Sequence, residues 1–486
     1  MSAASDGEAR HRAAMTARDA RRDPAARDDG ARLPWGTSKE IDRAAARLAR
    51  TRAWPALWAL TCSVPVADAV RAARRLRLGR WSPADQYGRA LAERLAAQDP
   101  RTADRVTDDA WNDASRVFPA AIARARQVSF APGGGAMALL MSPEGGGEEE
   151  CLALADVPGP GLSRVYSGTL HHESAGCLGP RDLIALRSTG TPGTELVRYT
   201  AGTTQILAAG TELTGGRAVA TAHGFVVGLR TAPVALAGTP AGPVARTDLS
   251  PFGLGRGDLL AAGPTGGRLA FGDRARLVVT DARLSAVLAG SALPGSHGGI
   301  LALAFAGPRR LITSGADGGL WMWEPPAGRL LPVARTDAPR LSELFSVPAW
   351  RVVGGWAEEE GRPYFYDSTD LSAVPVPAAL TGARQWVTAS PDGRYIVRSG
   401  RSGRSRGAAS PRQRSADSTT VHDLRHPSAA LRLPLAALTP DDVRALGAVL
   451  QAPPPGPAPA RRLLLELVRD CAAYLLDGHV RWSGPR

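Results

Sequence analysis

Lysine is nearly absent from this sequence of 486 residues: Lys39 is the only one among 59 lysines and arginines. A phosphate-binding P-loop needs a Gly-Lys-Ser/Thr sequence, a protein kinase needs a lysine on a strand, and a Schiff-base enzyme needs a reactive lysine. Lys39 lies between Ser38 and Glu40, so it has neither the glycine directly upstream nor the following hydroxyl of a P-loop. The sequence therefore excludes all three kinds of site.

Cysteine and long apolar segments are also scarce. The four cysteines form no Cys-x-x-Cys pair, so we expect neither a disulfide framework nor a zinc knuckle. No apolar run approaches the roughly 18 residues that a membrane span needs, and the N-terminal segment is polar and mixed in charge, unlike a secretory signal. We therefore expect a cytoplasmic protein that does not enter a membrane.

Glycine, proline and arginine are abundant instead. The 54 glycines and 39 prolines suit an all-β domain rich in turns, together with some disordered sequence. The net charge of +13 is carried almost entirely by arginine, and the Ala/Arg/Gly/Pro bias is typical of a GC-rich bacterial genome. Because such a bias raises arginine everywhere, net charge alone does not indicate a binding site, which needs arginine concentrated on one face.

The N-terminal part of the sequence shows helical periodicity. Residues 1–33 are predicted to be a disordered tail, and residues 34–118 a helical domain of four helices that uses tryptophan in its core. The first helix begins with a capping box at Thr37–Glu40, and the fourth runs to about Arg116.

The C-terminal part is helical as well. Residues 438–478 are predicted to form a pair of helices joined by a stiff Pro-rich linker at 452–459. This pair is expected to pack on the central domain or on the N-terminal helices. The alternative is an amphipathic handle that binds a partner.

Between residues 120 and 432 the pattern changes to short apolar strands separated by Gly, Pro and Asp turns. Seven such units recur, each of about 45 residues, which is the length of a four-stranded repeat. Their first recognisable strand or turn starts at Val128, Leu183, Ala218, Leu259, His297, Trp350 and Trp386. The rhythm is also compatible with six or eight units.

The most specific stretch is His297–Glu324, HGGILALAFAGPRRLITSGADGGLWMWE. Apolar runs separated by Gly-Pro and Gly/Asp turns are typical of antiparallel strands. The order of His, then Asp317 twenty residues later, then Trp323 six further on, resembles one blade of a WD-repeat β-propeller, whose signature runs from Gly-His to Trp-Asp. Ser296 stands in place of the Gly, and Glu324 in place of the final Asp.

In that family a His, a Ser/Thr, an Asp and a Trp form a hydrogen-bonded chain inside the blade. A buried carboxylate needs donors, and a buried indole N–H needs a partner. The resemblance implies this role for His297, Thr313, Asp317 and Trp323. The predicted fold is mainly β: a seven-bladed (six to eight) WD-repeat-like β-propeller over residues 120–432, with an N-terminal helical domain and C-terminal helices.

The segment Arg398–Arg414, RSGRSGRSRGAASPRQR, interrupts the last unit between its second and third strands. It has no acidic or aromatic residue, and its arginines are Arg398, Arg401, Arg404, Arg406, Arg412 and Arg414. In a propeller this loop opens on the face that carries the His and Asp turns, where it is able to contact phosphates or an acidic partner. Without aromatics it is poorly suited to stacking on single-stranded bases. The alternative is a solvated, disordered insertion.

Three further motifs lack the context that their chemistry needs. Gly403–Gly407 matches the Gly-x-Ser-x-Gly of a nucleophile elbow, but no strand precedes it and no helix follows. His171-His172-Glu173, with Cys177, lacks the second His four residues on that a zincin helix requires, so we interpret these histidines as solvated loop residues. Arg256-Gly257-Asp258 is interpreted as a turn.

The resemblance implies a rigid, non-catalytic scaffold or adaptor for protein–protein interaction, without cofactor or metal. One alternative is nucleic-acid association through the loop at 398–414, which a basic patch confined to one face would support. Another is an enzyme with a site in the central channel. No His/Asp/Glu cluster recurs at corresponding positions of several units, and a deep polar pocket with paired carboxylates is what this alternative requires.

Overall fold

The structure is a computed structural model and describes residues 37–117, 125–141, 150–157, 162–189, 193–200, 202–239, 242–325, 328–347, 352–357, 359–374, 385–400, 419–451 and 458–479. The chain divides into two compact units. The first is helical and contains the chain up to Trp111 and again from Pro427. The second is a β-propeller and contains the chain from Asn112 to His426, apart from residues 377–379.

The described part of the propeller forms seven four-stranded antiparallel sheets, which are its blades. In six blades the four strands follow one another in sequence, and in the seventh the strand nearest the N-terminus completes the sheet. This topology confirms the predicted seven-bladed propeller and excludes the six-bladed and eight-bladed alternatives. The units recognised in the sequence correspond one to one to the blades.

The strands of blades 1 to 3 are β2 (Ala125–Phe130), β3 (Ala136–Met141), β4 (Glu150–Asp156), β5 (Leu162–Gly168), β6 (His172–Gly179), β7 (Asp182–Ser188), β8 (Thr194–Thr200), β9 (Thr203–Gly210), β10 (Arg217–Thr221), β11 (Gly224–Gly228), β12 (Val234–Gly238) and β13 (Ala245–Asp248). Those of blades 4 and 5 are β14 (Leu260–Ala262), β15 (Arg268–Gly272), β16 (Arg276–Asp281), β17 (Val287–Ala292), β18 (Ile300–Phe305), β19 (Leu311–Gly315), β20 (Gly319–Glu324) and β21 (Leu331–Asp337). Those of blades 6 and 7 are β22 (Leu341–Val347), β23 (Val352–Ala357), β24 (Arg362–Asp367), β25 (Ala373–Val374), β26 (Gln385–Ala389), β27 (Tyr395–Gly400), β28 (Thr419–Asp423) and β1 (Ser115–Val117).

The core of the propeller lies between neighbouring blades. Between blades 1 and 2, for example, Leu140 and Leu154 pack against Leu183 and Val197, and all four are buried. A fully buried aliphatic side chain of this kind contributes about 1.5–3 kcal/mol. Because the inner strands have a blade on each side, they are apolar along nearly their whole length, which is the pattern that made the units visible in the sequence.

The ring is closed by β1, which precedes blade 1 in sequence but belongs to blade 7. Its three residues pair with residues 420–422 of β28, and the Asp423 amide donates to the carbonyl of Ala114 at 3.0 Å. The sequence predicts a helix to about Arg116, but that helix ends at Asp113. Residues 115–117 are extended instead because they satisfy the free backbone edge of β28.

The described residues of the helical unit form seven helices. The N-terminal five are α1 (Ser38–Arg50), α2 (Trp54–Ser63), α3 (Val66–Leu78), α4 (Gln86–Ala96) and α5 (Pro100–Asp113), and the C-terminal two are α6 (Pro440–Gln451) and α7 (Pro459–Leu476). None of these helices is both long and apolar enough to cross a lipid bilayer.

Helix α7 packs against the N-terminal helices of the same unit. Tyr474 donates a hydrogen bond to Asp85 at 2.7 Å, and Arg94 pairs with Asp470 at 2.6 Å. Asp85 also caps α4, since it accepts from the amide of Gly88 at 2.6 Å. The sequence left open whether the C-terminal helices pack on the central domain or on the N-terminal helices. In the structure they pack on the N-terminal helices.

The sequence predicted each of the helices α1 to α7 except α2. The capping box at Thr37 is confirmed, because Thr37 and Glu40 exchange hydrogen bonds between side chain and backbone. Helix α2 has the sequence WPALWALTCS, and its last seven residues are all buried. A helix that is apolar on all sides shows no amphipathic period, so it was not predicted.

Proline substitutions in β1 test the ring closure. Antiparallel hydrogen bonds alternate, and because the Ala114 carbonyl bonds to Asp423, the Arg116 amide faces Val421 while the Ser115 amide points away. R116P removes a ladder donor, so we expect the free energy of unfolding in urea to fall by about 1–3 kcal/mol. S115P is the matched control and should change it by no more than about 0.5 kcal/mol. Equal losses in both variants would contradict closure through β1.

Candidate functional site

Blade 5 contains a buried hydrogen-bonded chain made of three of the four predicted residues. His297 lies in the turn before β18, Thr313 on β19 and Trp323 on β20, and all three are fully buried. His297 Nε2 lies 2.9 Å from Thr313 Oγ1, and Trp323 Nε1 donates to the same oxygen at 2.9 Å. His297 Nδ1 lies 3.1 Å from the carbonyl oxygen of Gly299. The chain joins the turn before β18 to strands β19 and β20.

The partners of His297 determine its protonation. A carbonyl oxygen only accepts, so Nδ1 carries the proton and Nε2 accepts from the Thr313 hydroxyl. Burial lowers the pKa of His297 below its ordinary value, while the bond to Gly299 and the charge of Asp317 act in the opposite direction. A neutral imidazole that is bonded on both sides is suited to a structural role in the blade.

Asp317, the fourth predicted residue, lies in the turn between β19 and β20. Its carboxylate accepts from the amide of Gly319 at 3.0 Å and from Arg335 at 3.4 Å. Among the described residues, no hydrogen bond joins it to His297, so the chain of blade 5 lacks a carboxylate. Asp317 instead orders the turn and holds Arg335, whose guanidinium lies 5.3 Å from the ring centroid of Trp321.

A second buried polar chain lies at the junction of blades 1 and 2. His172 Nε2 lies 3.0 Å from the hydroxyl of Tyr199, and the His172 amide donates to Glu150 at 2.7 Å. Arg187 donates to the same Tyr199 hydroxyl at 3.4 Å and pairs with Glu195 at 2.5 Å. Burial lowers the pKa of His172, although the hydrogen bond and the charge of Glu150 act to raise it.

The interpretation of the two adjacent histidines as solvated loop residues is wrong for His172. It is the first residue of β6 and is fully buried. Successive side chains of a strand point to opposite faces of the sheet, so its two neighbours point to the other face. His171 is exposed, as predicted, and its Nδ1 lies 2.6 Å from Glu150. Cys177 is buried on the same strand.

The arginine-rich segment begins later than the sequence indicates. Arg398 lies on β27, where it pairs with Val387 and Thr420, and it is half-buried. Arg398 therefore belongs to the strand and not to the loop, because the β27 ladder continues beyond Val397. Burial lowers the pKa of its guanidinium. The Gly403–Gly407 motif lies outside the described residues. So do the remaining arginines of the segment: Arg401, Arg404, Arg406, Arg412 and Arg414.

The first strands of the blades line a central channel, which widens at one end into a pocket of about 440 Å³. Four charged residues from different parts of the ring line this channel mouth: Glu173 of β6, Arg217 of β10, Asp258 before β14, and Glu343 of β22. This pocket is polar and contains carboxylates, whereas the enzyme alternative requires a deep polar pocket with paired carboxylates.

Two of the carboxylates at the channel mouth hold the backbone and a neighbouring arginine. Glu173 accepts from the amide of Gly215 at 2.5 Å, and Asp258 forms an ion pair with Arg256, within the predicted Arg-Gly-Asp turn. In the part of the chain that the structure describes, no group of three or more His, Cys, Asp or Glu side chains is placed to hold a metal ion.

An exposed apolar patch lies on the outer strands of blades 4 and 5. Val287 and Leu288 on β17 are 47% and 40% exposed, and Leu331 and Val333 on β21 are 42% and 50% exposed. Leu288 and Val333 are each the extra residue of a β-bulge, since their neighbours pair with consecutive residues of the adjacent strand. A bulge re-aims side chains. We call these four residues the rim patch.

The outer strand β17 is bonded to the segment that leads into the outer strand β21. Gly290 and Arg329 form an isolated parallel β-bridge. The Gly290 amide donates to the carbonyl of Gly328 at 3.2 Å, and the Leu330 amide donates to the carbonyl of Gly290 at 3.3 Å. The rim patch therefore spans two blades that are connected by backbone hydrogen bonds.

No family model matches the sequence, and no curated protein matches it. Similar solved structures include a chain of the Mitotic Checkpoint Complex, with 14% identity, a TM-score of 0.44, and coverage of 64% of this chain and 94% of that chain. They also include the β-propeller domain of Myceliophteria thermophila Cps50 (Swd1), with 12% identity, a TM-score of 0.43, and coverage of 64% and 99%. U3-55K has 12% identity, a TM-score of 0.42, and coverage of 64% and 98%. Similarity at this level concerns the propeller fold alone.

The rim patch and the chain around His172 were both missed in the sequence. The signal for the rim patch was apolar residues on the fourth strand of a unit, in SAVLAGSA and RLLPVARTD, where a propeller places its most exposed strand. The second chain left no such signal. Its members come from four strands in two blades and match no spacing of a known motif.

Removing the Thr313 hydroxyl should destabilise blade 5. In T313V both His297 and Trp323 lose a hydrogen-bond partner in a buried site. We expect the free energy of unfolding, measured in urea, to fall by about 2–4 kcal/mol, because each unsatisfied buried group costs about 1–3 kcal/mol. T336V, on the half-exposed strand β21 of the same blade, is the control and should cost no more than about 0.5 kcal/mol. A loss below about 1 kcal/mol in T313V contradicts the role of the chain.

The two buried histidines should make the fold sensitive to acid. Burial lowers the pKa of His172 and of His297, so the unfolded chain binds protons more readily than the folded protein. The stability they confer is complete above the unfolded pKa of about 6.5 and is lost as the pH falls below it, by at most about 1.4 kcal/mol per pH unit for each histidine.

Urea denaturation from about pH 7.5 to about pH 5.5 measures this dependence. H172Q/H297Q should have a flatter dependence of unfolding free energy on pH than the wild type. H223Q, at an exposed histidine, should keep the wild-type slope. If the double variant keeps the wild-type slope, groups other than these two histidines cause the dependence of the unfolding free energy on pH.

Proposed function

We propose that this protein is a non-catalytic scaffold or adaptor that binds protein partners through the rim patch. The observation that carries the proposal is that four of the nine exposed large apolar side chains among the described residues lie on the outer strands of two neighbouring blades. Exposed aliphatic side chains that are concentrated on one part of a folded domain are typical of an interaction site. Each Val or Leu side chain buried by a partner contributes up to about 1.5–3 kcal/mol to binding.

The rigidity of the propeller supports this proposal. The ring is closed by backbone pairing of β1 with β28. Buried polar chains around His172 and His297 fix the strands of their blades. A surface that is already ordered before binding loses little conformational entropy when a partner docks.

We further propose that the protein belongs to the WD-repeat class of bacterial propellers and acts in the cytoplasm. The bonds among His297, Thr313 and Trp323 support the first part. The arginine-rich, lysine-poor composition supports a GC-rich bacterial origin. The four cysteines are free thiols, which is usual in a reducing compartment.

The channel mouth supports a structural rather than a catalytic role. General acid–base chemistry needs a carboxyl group that is free to exchange a proton with a substrate. Glu173 is bonded to the backbone amide of Gly215, and Asp258 is paired with Arg256. Both carboxylates therefore serve as acceptors that hold neighbouring groups at this end of the channel.

Polar substitutions at the rim patch test the proposal. We expect L288S/V333S to reduce quantitative capture of specific protein partners from the native host by at least about tenfold, since two apolar contacts are lost. I206S is the matched control, because Ile206 is 53% exposed on the outer strand of blade 2. It should retain the same partners as the wild type, with nuclease and high salt in every wash.

All these side chains are exposed, so thermal unfolding should be nearly unchanged in both variants. If L288S/V333S retains every partner that the wild type captures, the rim patch is not the docking surface. If I206S loses the same partners as the double variant, capture depends on general surface hydrophobicity.

A further inference from the structure

One region of the helical unit, residues 43–84, is rich in arginine and contains a single acidic residue, Asp68. Residues 43–67 include four arginines and residues 69–84 include five, and neither segment contains Asp or Glu. Helix α5, by contrast, has four acidic residues and two arginines. A general compositional bias does not account for this local segregation of charge.

The fold brings the two arginine-rich segments together at one end of the unit. Ser38, at the start of α1, donates to Asp68 near the start of α3 at 3.4 Å, so these two ends are adjacent. At the opposite end, the ring of Trp54 lies against Gly79 so closely that a Cβ on the glycine would collide with it. Trp54 follows the end of α1, and Gly79 follows the end of α3. The two helices therefore run in the same direction and end side by side.

Five exposed arginines surround these two helix ends: Arg47, Arg50, Arg52, Arg77 and Arg80. We call them the arginine end. None of them forms an ion pair with a residue that the structure describes, whereas Arg71 and Arg75 of the same region are paired with Asp68 and Asp42. Each helix C-terminus carries about half a negative charge, which is small against five guanidinium groups. The surface is therefore strongly cationic.

Apolar and aromatic side chains are interspersed with these arginines. Trp54 and Trp81 are each partly exposed. Leu78, between Arg77 and Gly79, is 83% exposed. Guanidinium groups bind phosphates with two parallel hydrogen bonds, and exposed indole rings stack on unpaired bases. Aromatic side chains are the element that the segment at 398–414 lacks.

We propose that the arginine end is a binding surface for single-stranded nucleic acid. The arginines contact successive phosphates, and the partly exposed indoles of Trp54 and Trp81 stack on bases. This surface belongs to the helical unit, so it is separate from the rim patch and does not depend on the proposed protein-binding function. Recognition through phosphates and stacking is tolerant of base sequence.

Fluorescence anisotropy of the full-length protein with a labelled, mixed-sequence single-stranded DNA of about 20 nucleotides tests the proposal. Between about 50 and 200 mM NaCl, the logarithm of affinity should fall by about 0.7 per neutralised phosphate for each logarithmic unit of salt, or about 3.5 for five contacts. R77E/R80E should weaken binding at least tenfold and reduce this slope by about 1.4.

The matched control is R101E/R105E, which makes the same change of charge at two exposed arginines of α5. It should stay within about twofold of the wild type, because Arg101 and Arg105 lie among the acidic residues of α5 and do not belong to the arginine end. W81L should weaken binding about fivefold without changing the salt slope, because stacking is not electrostatic. Thermal unfolding of each variant verifies that its fold is intact.

Three outcomes would overturn the proposal. Equal losses in R77E/R80E and R101E/R105E mean that net charge, and not this surface, attracts the DNA. Loss of binding in R401S/R404S/R406S, with R77E/R80E unaffected, assigns the DNA to the arginine-rich segment of blade 7. Tighter binding to polyglutamate or to phosphatidylserine vesicles than to the oligonucleotide, abolished by R77E/R80E, assigns the arginine end to an acidic protein or to a membrane surface.

Discussion

The propeller depends on the backbone pairing of β1 with β28. A ring of blades is stable only if the last blade packs on the first, and that contact is apolar: Tyr395, Val397 and Val421 pack with Leu139 and Met141. Val421 lies on β28, the strand with which β1 pairs. The three residues of β1 pair with the backbone edge of β28, which would otherwise have unpaired N–H and C=O groups. They thereby complete the blade that packs against blade 1.

Blades 2 and 5 each contain a buried histidine, and each bonds it to different residues. Each buries a neutral histidine and gives its Nε2 a hydroxyl partner, Thr313 in blade 5 and Tyr199 in blade 2. In blade 5 the hydroxyl is shared with an indole, and in blade 2 with an arginine that is itself neutralised. A partly satisfied buried network is costly. Each chain therefore bonds its buried histidine to several polar groups, although only one of the two chains matches a recognisable pattern.

The sequence predicted the features that depend on local order along the chain. Short apolar strands between turns predicted the number of blades. The resemblance of His297–Glu324 to a WD-repeat blade implied a bonded set that includes His297, Thr313 and Trp323, and these three residues meet in the structure. Features that depend on distant segments were missed. β1 is too short to have a period of its own, and the role of Asp317 was set by Arg335 on the next strand. Two residues of the rim patch, Leu288 and Val333, are bulge residues, and the bulges arise from strand pairing, which the sequence does not show directly.

The helical unit is assembled from two segments that lie on either side of the propeller in the sequence. Helix α7 supplies Tyr474 and Asp470, which bond to Asp85 and Arg94 more than 350 residues earlier. During synthesis on the ribosome, the N-terminal helices must therefore wait until the entire propeller has been translated before their partner emerges. Contacts at such separations form late and slowly. The propeller can close its ring first, and the order of folding follows from the order of the chain.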